Sequence, residues 1–516
     1  MRQPSLLLLF FACLVSAPVW AQPGALKSTF GIGGKSYLTI GGVDEAENPT
    51  AIVVQPDGRI VIVGYVFPLD QLSWGFVARL MPGGDLDPSF GDGGVVSWIP
   101  SNGTLQMYCV ALQPDGRIVL GGAKGTAAIT STQDAWFGRL NADGSIDNSF
   151  GANGERVIAQ SANTDYVIGV AVTPDGGIYG HIHSGPPSNA PACMARLTAT
   201  GQLDASFNGT GVRCDLYGGN SGNSIGGLAV RADSAALGAG SVGVGKVAAV
   251  LMNGQFDPGF GTAGVAASPA GTDAWRTSGL CIRPDGRILV VTWRPTTPFS
   301  IQFAQLLPNG SPDPSFGNNG LSLFSPGGIN ISTRLSNPVL YPDGRFLVSW
   351  GRFNAVAGEL DHAVSWFTAD GAPHTIGTVI TDLGPNDFDQ DNAGGLAMAP
   401  DGDIVALGSF VGESGGTVVL RFNGDLGSVG MDERMGHAPL VVHMDQTSAI
   451  VRLEWPGVPR IDEVVLRDAL GRTVPVRSQS SMNTSELQLA EMTDGLYFIE
   501  VTADGRQQGH SILLAR

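Results

Sequence analysis

The feature that most constrains this chain is a tripeptide that keeps returning. Pro-Asp-Gly stands at Pro56, Pro114, Pro174, Pro284, Pro342 and Pro400, and Ala232-Asp233-Ser234 fills the gap between the third and fourth copies. The steps are 58, 60, 58, 52, 58 and 58 residues. A fixed period of this size marks a chain built from one structural unit used repeatedly, here seven times.

Each copy separates two apolar, β-branched runs, as Ala51-Ile52-Val53-Val54 before the first and Ile60-Val61-Ile62-Val63 after it. Proline presets the φ of a turn's second residue and Asp-Gly reverses the chain, so the spacing predicts a hairpin. A third run, Trp74 to Leu80 in the first unit, ends in a second mark, Leu86-Asp87-Pro88-Ser89-Phe90-Gly91. That mark returns at Ile146 to Gly151, Leu203 to Phe207, Phe256 to Phe260 and Pro312 to Phe316, and a short fourth run, Gly94 to Trp98, leads to the next unit. Four short strands per unit is a β-propeller blade. A copy of the second mark at Leu26 to Gly31 precedes the first unit, while the seventh keeps only Gly424-Asp425-Leu426. This offset suits closure of the ring by strands from both ends of the chain. Unit four lacks Pro-Asp-Gly and unit six lacks Ser-Phe-Gly, so blade boundaries are least defined there.

The expected fold class is therefore all-β, a seven-bladed β-propeller followed by a small C-terminal β-sandwich. The expected domains are a signal peptide at 1–21, the propeller at 22–427, a linker at 428–435 and the sandwich at 436–516. Arg2, the apolar run Leu6 to Val15 and Val19-Trp20-Ala21 carry the signal-peptide reading. No stretch reaches the roughly 20 apolar residues needed to span a bilayer. Glycine numbers 74 of 516 residues and only 15% of residues are charged, which fits many tight turns between buried strands and leaves little room for long helices. A net charge of −17 repels phosphate backbones and anionic lipid, so neither nucleic acid nor a membrane surface is an expected partner.

The repeated Pro-Asp-Gly-Arg-Ile-Val and Leu-Asp-x-Ser-Phe-Gly pattern resembles the delta-60 repeat family of bacterial secreted and surface proteins, over residues 24 to 427. The resemblance implies a propeller-like fold without an assigned activity. After residue 430 the period stops. Leu466-Arg467-Asp468 with Gly471-Arg472, then Gly495-Leu496-Tyr497-Phe498-Ile499, then a short end at Arg516 resemble the C-terminal sorting domain of the type IX secretion system. That implies a Bacteroidota host, the secretion machinery as a partner, and passage through the outer membrane to an extracellular or cell-surface location.

Residues that invite a chemical reading are few. Asn141 to Asp147 looks like an oxygen-rich calcium loop, but Met81 to Asp87 and Thr198 to Asp204 lack the carboxylate at the Asp143 position, which favours a turn capped by Asp147. His181 and His183 alternate on one strand and form half of a metal site at best, since no third ligand is near in sequence. Arg79, Arg139, Arg196 and Arg421 end their third runs and are expected to pair with the next turn's aspartate, such as Asp87 or Asp147. Trp74, Trp136 and Trp366 take similar places in their units, which favours packing; Trp98, Trp275, Trp293 and Trp350 share no register and are expected in core or at edges. Of the cysteines left by leader removal, Cys193 and Cys214 flank one turn on neighbouring strands and are the candidate disulfide, while Cys109 and Cys281 fall within apolar strands and are expected as buried thiols. No Cys/His zinc spacing, nucleophile elbow or phosphate loop occurs, so no catalytic residue, metal or cofactor is assigned.

Three readings fit these observations, one of them a propeller that serves mainly as cell-surface structure without a specific ligand; the other two assign it an activity. The first is a surface or extracellular binding and scaffold module whose loop face or channel holds a glycan or protein, with length variation in Tyr65 to Ser73, Gly122 to Asp134 and Gly351 to Asp361. The second is a secreted glycan hydrolase or lyase with its site in the propeller channel, for which a pair of channel carboxylates is the mark.

Overall fold

The computed structural model describes residues 23–42, 45–68, 72–125, 132–161, 164–184, 191–218, 226–242, 244–268, 276–294, 300–326, 331–354, 359–383, 390–411, 416–424, 441–445, 450–454, 461–468, 472–481, 484–489, 492, 495–503 and 506–514. The expected leader and linker lie outside them. Among the described residues all regular structure is β, and no helix is long and apolar enough to cross a membrane.

Seven antiparallel sheets follow one another along the chain. Blade 1 is Ala46–Val54, Ile60–Phe67, Trp74–Leu80 and Val95–Trp98, paired in that order. Blades 2 to 6 span 104–158, 165–214, 228–267, 276–324 and 331–381. Blade 7 takes three strands from 390–422 and its outermost from the N-terminal end, with Lys35 opposite Leu420 and Leu38 opposite Thr417. The first strand of every blade packs against the first strands of both neighbours, including blade 7 against blade 1, so a closed ring surrounds an axis. A seven-bladed propeller is thus observed, with its ends joined as the offset phase anticipates.

The two irregular units differ from the others in physical ways. In blade 4 the first and last strands shrink to Leu228–Val230 and Val265–Ala267, and Ser234 occupies the left-handed turn position at φ 64° that glycine fills elsewhere. In blade 6 the innermost strand is broken into Ile331–Leu335 and Val339–Leu340, and the outermost, Pro373–Thr381, runs to nine residues. The chain after 441 forms a four-stranded and a three-stranded sheet. Val451, Leu453, Leu466, Leu487, Ile499 and Val501 from both sheets share one buried cluster.

Hydrophobic burial lies between blades rather than within them. Val61, Val63 and Val77 of blade 1 pack with Leu105, Leu120 and Trp136 of blade 2, and an equivalent cluster fills each of the other six junctions. A blade alone cannot bury its own faces, so the ring forms as a unit.

The two sequence marks explain how blades register. Gln55 N–H bonds Arg59 O at 2.7 Å and Gly58 N–H bonds Gln55 O at 2.9 Å, with Gly58 at φ 83°, so Pro-Asp-Gly is a type I turn closed by a left-handed glycine. In the second mark, Phe30, Phe90, Phe150, Phe207, Phe260 and Phe316 are all buried. Phe90 lies beneath Gly144 of the next blade, where an added Cβ would sit 3.0 Å from the ring. The following residue donates its N–H across the junction: Gly91 to Asp143 O at 2.9 Å, Gly151 to Thr200 O at 2.9 Å, Gly261 to Asn309 O at 2.7 Å.

The expected Arg–Asp pairs are present in blades 1 to 3, where Arg79–Asp87, Arg139–Asp147 and Arg196–Asp204 each close at 2.8 Å. Arg421 departs from the expectation: it reaches back to Asp403 of the preceding Pro-Asp-Gly turn at 2.9 Å rather than to the next turn. The same guanidiniums donate to carbonyls of the next blade: Arg139 to Ala199, Arg196 to Met252 at 3.2 Å, and Arg421 to Pro82 at 2.8 Å across the closing junction. Where blade 5 has Gln305 in place of the arginine, Arg283 supplies the link to Ala369 O at 3.0 Å. Because Arg139 is 3% exposed, truncation leaves a buried charge unpaired and a junction unlinked. We expect Arg139→Ala to lower unfolding free energy by roughly 3 kcal/mol in a urea titration. Arg472→Ala, which breaks an exposed pair with Asp468, should cost less than about 1 kcal/mol.

Candidate binding face

The two ends of the propeller differ in character. The turn end, where Pro-Asp-Gly and the second mark meet, is a bonded framework. Burial works against ionisation of Asp87, but hydrogen bonds from the Ser89 hydroxyl and N–H and the charge of Arg79 outweigh it and hold the group at about 2. Asp147 and Asp313 are lowered against burial in the same way, by Ser149 and Ser315. Clefts of about 460 and 320 Å³ lie here between blades 5 and 6 and between blades 2 and 3. Both are junction grooves bordered by this framework. Asp143 of the calcium-like loop accepts from Ser145 N–H at 2.9 Å and Ser145 hydroxyl at 2.7 Å, a self-contained turn, and Asp147 belongs to the ion pair.

The opposite end, where first strands begin and second strands finish, carries different residues. Every well-paired first strand has one irregular position: Thr50, Tyr108, Ile168 and Ser278 are each skipped in the ladder to the second strand. Such bulges re-aim side chains. Two residues before the skip, the facing pairs are Asn48 with Tyr65, Gln106 with Ala123, Tyr166 with His183 and Arg276 with Trp293, and blade 7 has Asn392 opposite Ser409. The same register places them at one height along the axis, so they form a ring at the channel mouth.

Aromatic side chains in this ring, Tyr65, Tyr166 and His183, join Phe67 and Tyr108 beside it in a run of contacts. Tyr65 meets Phe67 edge to face at 5.2 Å and Tyr108 at 5.8 Å; Tyr108 meets Tyr166 at 6.0 Å; Tyr166 stacks on His183 at 6.2 Å with 14° between planes. Tyr65 is buried, whereas Phe67, Tyr108, Tyr166 and His183 are half-buried. The Tyr108 hydroxyl donates to Gln106 Oε1. On blade 5 the Arg276 guanidinium lies over Trp293 at 5.3 Å.

Carboxylates near the ring face elsewhere. Asp165 is fully buried and accepts from Gln160 N–H, Ser161 N–H and the Ser161 hydroxyl, each at 2.8 Å. Glu47 accepts from Gly41 N–H at 2.9 Å and the Thr417 hydroxyl at 2.7 Å. Burial raises Asp134 and Tyr166, and the Asp165 charge adds to both. Burial lowers His183 although Asp165 opposes it. The ring pairs hold no carboxylate and burial disfavours the charged form of His183, which leaves amide, phenol and imidazole groups suited to hydroxyl-rich ligands.

Several sequence expectations need adjusting. His181 and His183 do not make a shared ligand pair: His181 is buried against the Tyr217 hydroxyl at 3.1 Å, while His183 belongs to the ring. Among the described residues no cluster of three or more His, Cys, Asp or Glu could hold a metal. Trp74, Trp136 and Trp366 do not share a register, standing opposite Val66, Gly122 and Leu347. Trp366 holds the arginine position of its blade, one residue before the strand's last pair. Trp98, Trp136, Trp293, Trp350 and Trp366 are buried as expected; Trp275 lies outside the described residues. Cys193 and Cys214 face each other in register and are joined by a disulfide. Cys109 is buried and Cys281 partly so, and burial pushes both thiols up, Cys281 to about 12.

A family model described as a domain of unknown function (DUF5122) beta-propeller matches residues 55–90, 113–150 and 283–316. These segments run from the turn of blades 1, 2 and 5 to the second-mark phenylalanine. No curated protein matches the chain. Among solved structures, a protein of unknown function from Dyadobacter fermentans is 9% identical, covering 76% of this chain and 98% of its own, at TM-score 0.42. One of unknown function from Bacteroides caccae is 10% identical over 62% and 93%, at 0.34, and the polysaccharide lyase Uly1 is 12% identical over 77% and 93%, at 0.42.

Burial holds His181 down to about 3, with His183 adding to the effect, and burial holds His362 down to about 4. Unfolded, both titrate near about 6.5. Below that value the unfolded chain binds more protons than the native one, so stability falls as pH drops from about 6.5 toward 4 and flattens beneath the folded values. Urea midpoints at pH 7 and pH 5 should differ in wild type and differ less in His362→Leu.

Proposed function

We propose that this protein is an extracellular or cell-surface glycan-binding propeller, with the channel mouth of blades 1 to 3 as its binding face. The observation that carries the reading is the run Phe67, Tyr65, Tyr108, Tyr166 and His183, in which neighbouring blades extend one aromatic row. Sugars offer apolar ring faces and a rim of hydroxyls. An aromatic row with Asn48 and Gln106 beside it meets both needs, because stacking supplies contact area and the amides fix orientation. The ring pairs contain no Asp or Glu to act as a hydrolytic pair, which favours binding over hydrolysis.

The export reading accompanies it. The leader at 1–21 would direct the chain out of the cytoplasm, and residues 436–516 would form a β-sandwich that serves as a type IX sorting domain. A disulfide between Cys193 and Cys214 fits an oxidising compartment.

A glycan array probed with the secreted chain should show reproducible binding, and Tyr108→Ala and Tyr166→Ala should each weaken it by about tenfold, the scale of one lost aromatic contact. Unchanged binding in both variants would remove the row from the site. Deleting residues 436–516 should trap the protein in the periplasm, and export of the shortened chain would refute the sorting role.

A further inference from the structure

We infer that the channel mouth recognises an anionic polysaccharide, one carrying carboxylate or sulfate groups on its sugars, and that Arg276 is the residue that reads the charge. The inference rests on the glycan-binding reading and names the ligand class for the same face.

The argument begins with where charge is allowed. Counting from the turn proline or its substitute, the first-strand ring position lies eight residues back and its partner nine residues on. Across seven units these fourteen positions hold no Asp or Glu, although the chain has 46 acidic residues against 29 basic ones. Two of the first-strand positions are arginine, Arg276 and, by the same offset, Arg334. Arg276 and Trp293 thus stand among paired positions that bring no carboxylate of their own.

Arg276 also differs from the framework arginines. Arg79, Arg139, Arg196, Arg231 and Arg421 are each engaged by an aspartate within 2.9 Å. The contact the structure shows for Arg276 is the face of Trp293, at 5.3 Å. It is half-buried, and no carboxylate of the described residues forms an ion pair with it. Stacking on an aromatic face holds a guanidinium in place while leaving its planar fork of N–H donors for a carboxylate or sulfate. The nearby carboxylates Glu47 and Asp165 are committed to backbone N–H groups and hydroxyls of their own loops. An anionic polymer crossing the mouth then completes what the framework leaves open: some of its sugar rings stack on the tyrosines of blades 1 to 3 and a charged group further along it meets Arg276 of blade 5. The remaining acidic surface rejects polyanions elsewhere, which confines them to the mouth.

The test uses the full secreted chain and three polymers: polygalacturonate, the same polymer with carboxyls reduced to neutral alcohols, and dextran sulfate. Wild type should bind polygalacturonate or dextran sulfate at least about tenfold more tightly than the neutral polymer, the scale of a charge-assisted hydrogen bond. Which of the two is preferred distinguishes carboxylate from sulfate. Arg276→Gln should abolish the preference while keeping wild-type urea stability, and Arg276→Lys should retain part of it. Equal binding of neutral and charged polymers, with Arg276→Gln unchanged, would overturn the charge reading while the tyrosine row stands. Charge-dependent binding that survives Arg276→Gln would overturn the assignment to Arg276. Failure of Tyr166→Ala to weaken any binding would instead sink the face itself.

Discussion

The ring depends on a buried contact that blades 1 to 3 share and blades 5 and 7 vary: an aspartate of a turn, held by a side chain of the third strand, with an arginine reaching the next blade. Asp147 illustrates the arrangement. It accepts from Ser149 within its turn, pairs with Arg139 at 2.8 Å, and Arg139 in turn bonds Ala199 O of blade 3. A charge buried in this way is tolerable only because it is fully bonded. Hydrophobic burial alone is non-directional and sets no single register between blades. The Arg–Asp link and the Phe-Gly junction fix one register per junction, and a closed seven-membered ring tolerates little accumulated error.

This division of labour separates the two ends of the molecule. The turn end is where the blades are most alike, because most turns contact a neighbour through Phe, Gly and Asp. The opposite end has no such obligation, and there the blades diverge into Tyr, His, Arg and Asn. Bulges at Thr50, Tyr108, Ile168 and Ser278 mark the transition. Skipping a residue bends the strand and ends the strict in-and-out alternation, so side chains beyond it take positions that the aliphatic core does not demand.

That contrast explains what could be read from the sequence. Blade count, hairpins, ring closure and the Arg–Asp pairs were legible because they recur, and recurrence is visible in one chain. The binding ring was not, because its members differ from blade to blade: Asn48, Gln106, Tyr166 and Arg276 share nothing but an offset of eight residues from the turn. The tryptophans misled for a related reason. Trp74, Trp136 and Trp366 occur in the same run of their units, yet they stand six, four and one residues before the strand's last pair, and a one-residue shift changes the face of a strand. Position counted from the turn, rather than residue type within a run, is the coordinate that matters in a repeated sheet.

The same coordinate turns similarity between repeats into an argument about function. Positions at which seven blades agree are those the ring needs in order to close. Positions at which they disagree are free of that need. The ring at offset eight disagrees in residue type, yet Tyr65 and Tyr166 of the ring are joined through Tyr108 beside it into aromatic contacts across three consecutive blades. Folding does not require that pattern, since blades 2 and 7 place Ala123 and Ser409 at the positions filled by Tyr65 and His183 in blades 1 and 3. A ligand touching several blades at once, as proposed above, would account for it, because such a ligand meets the ring as one surface.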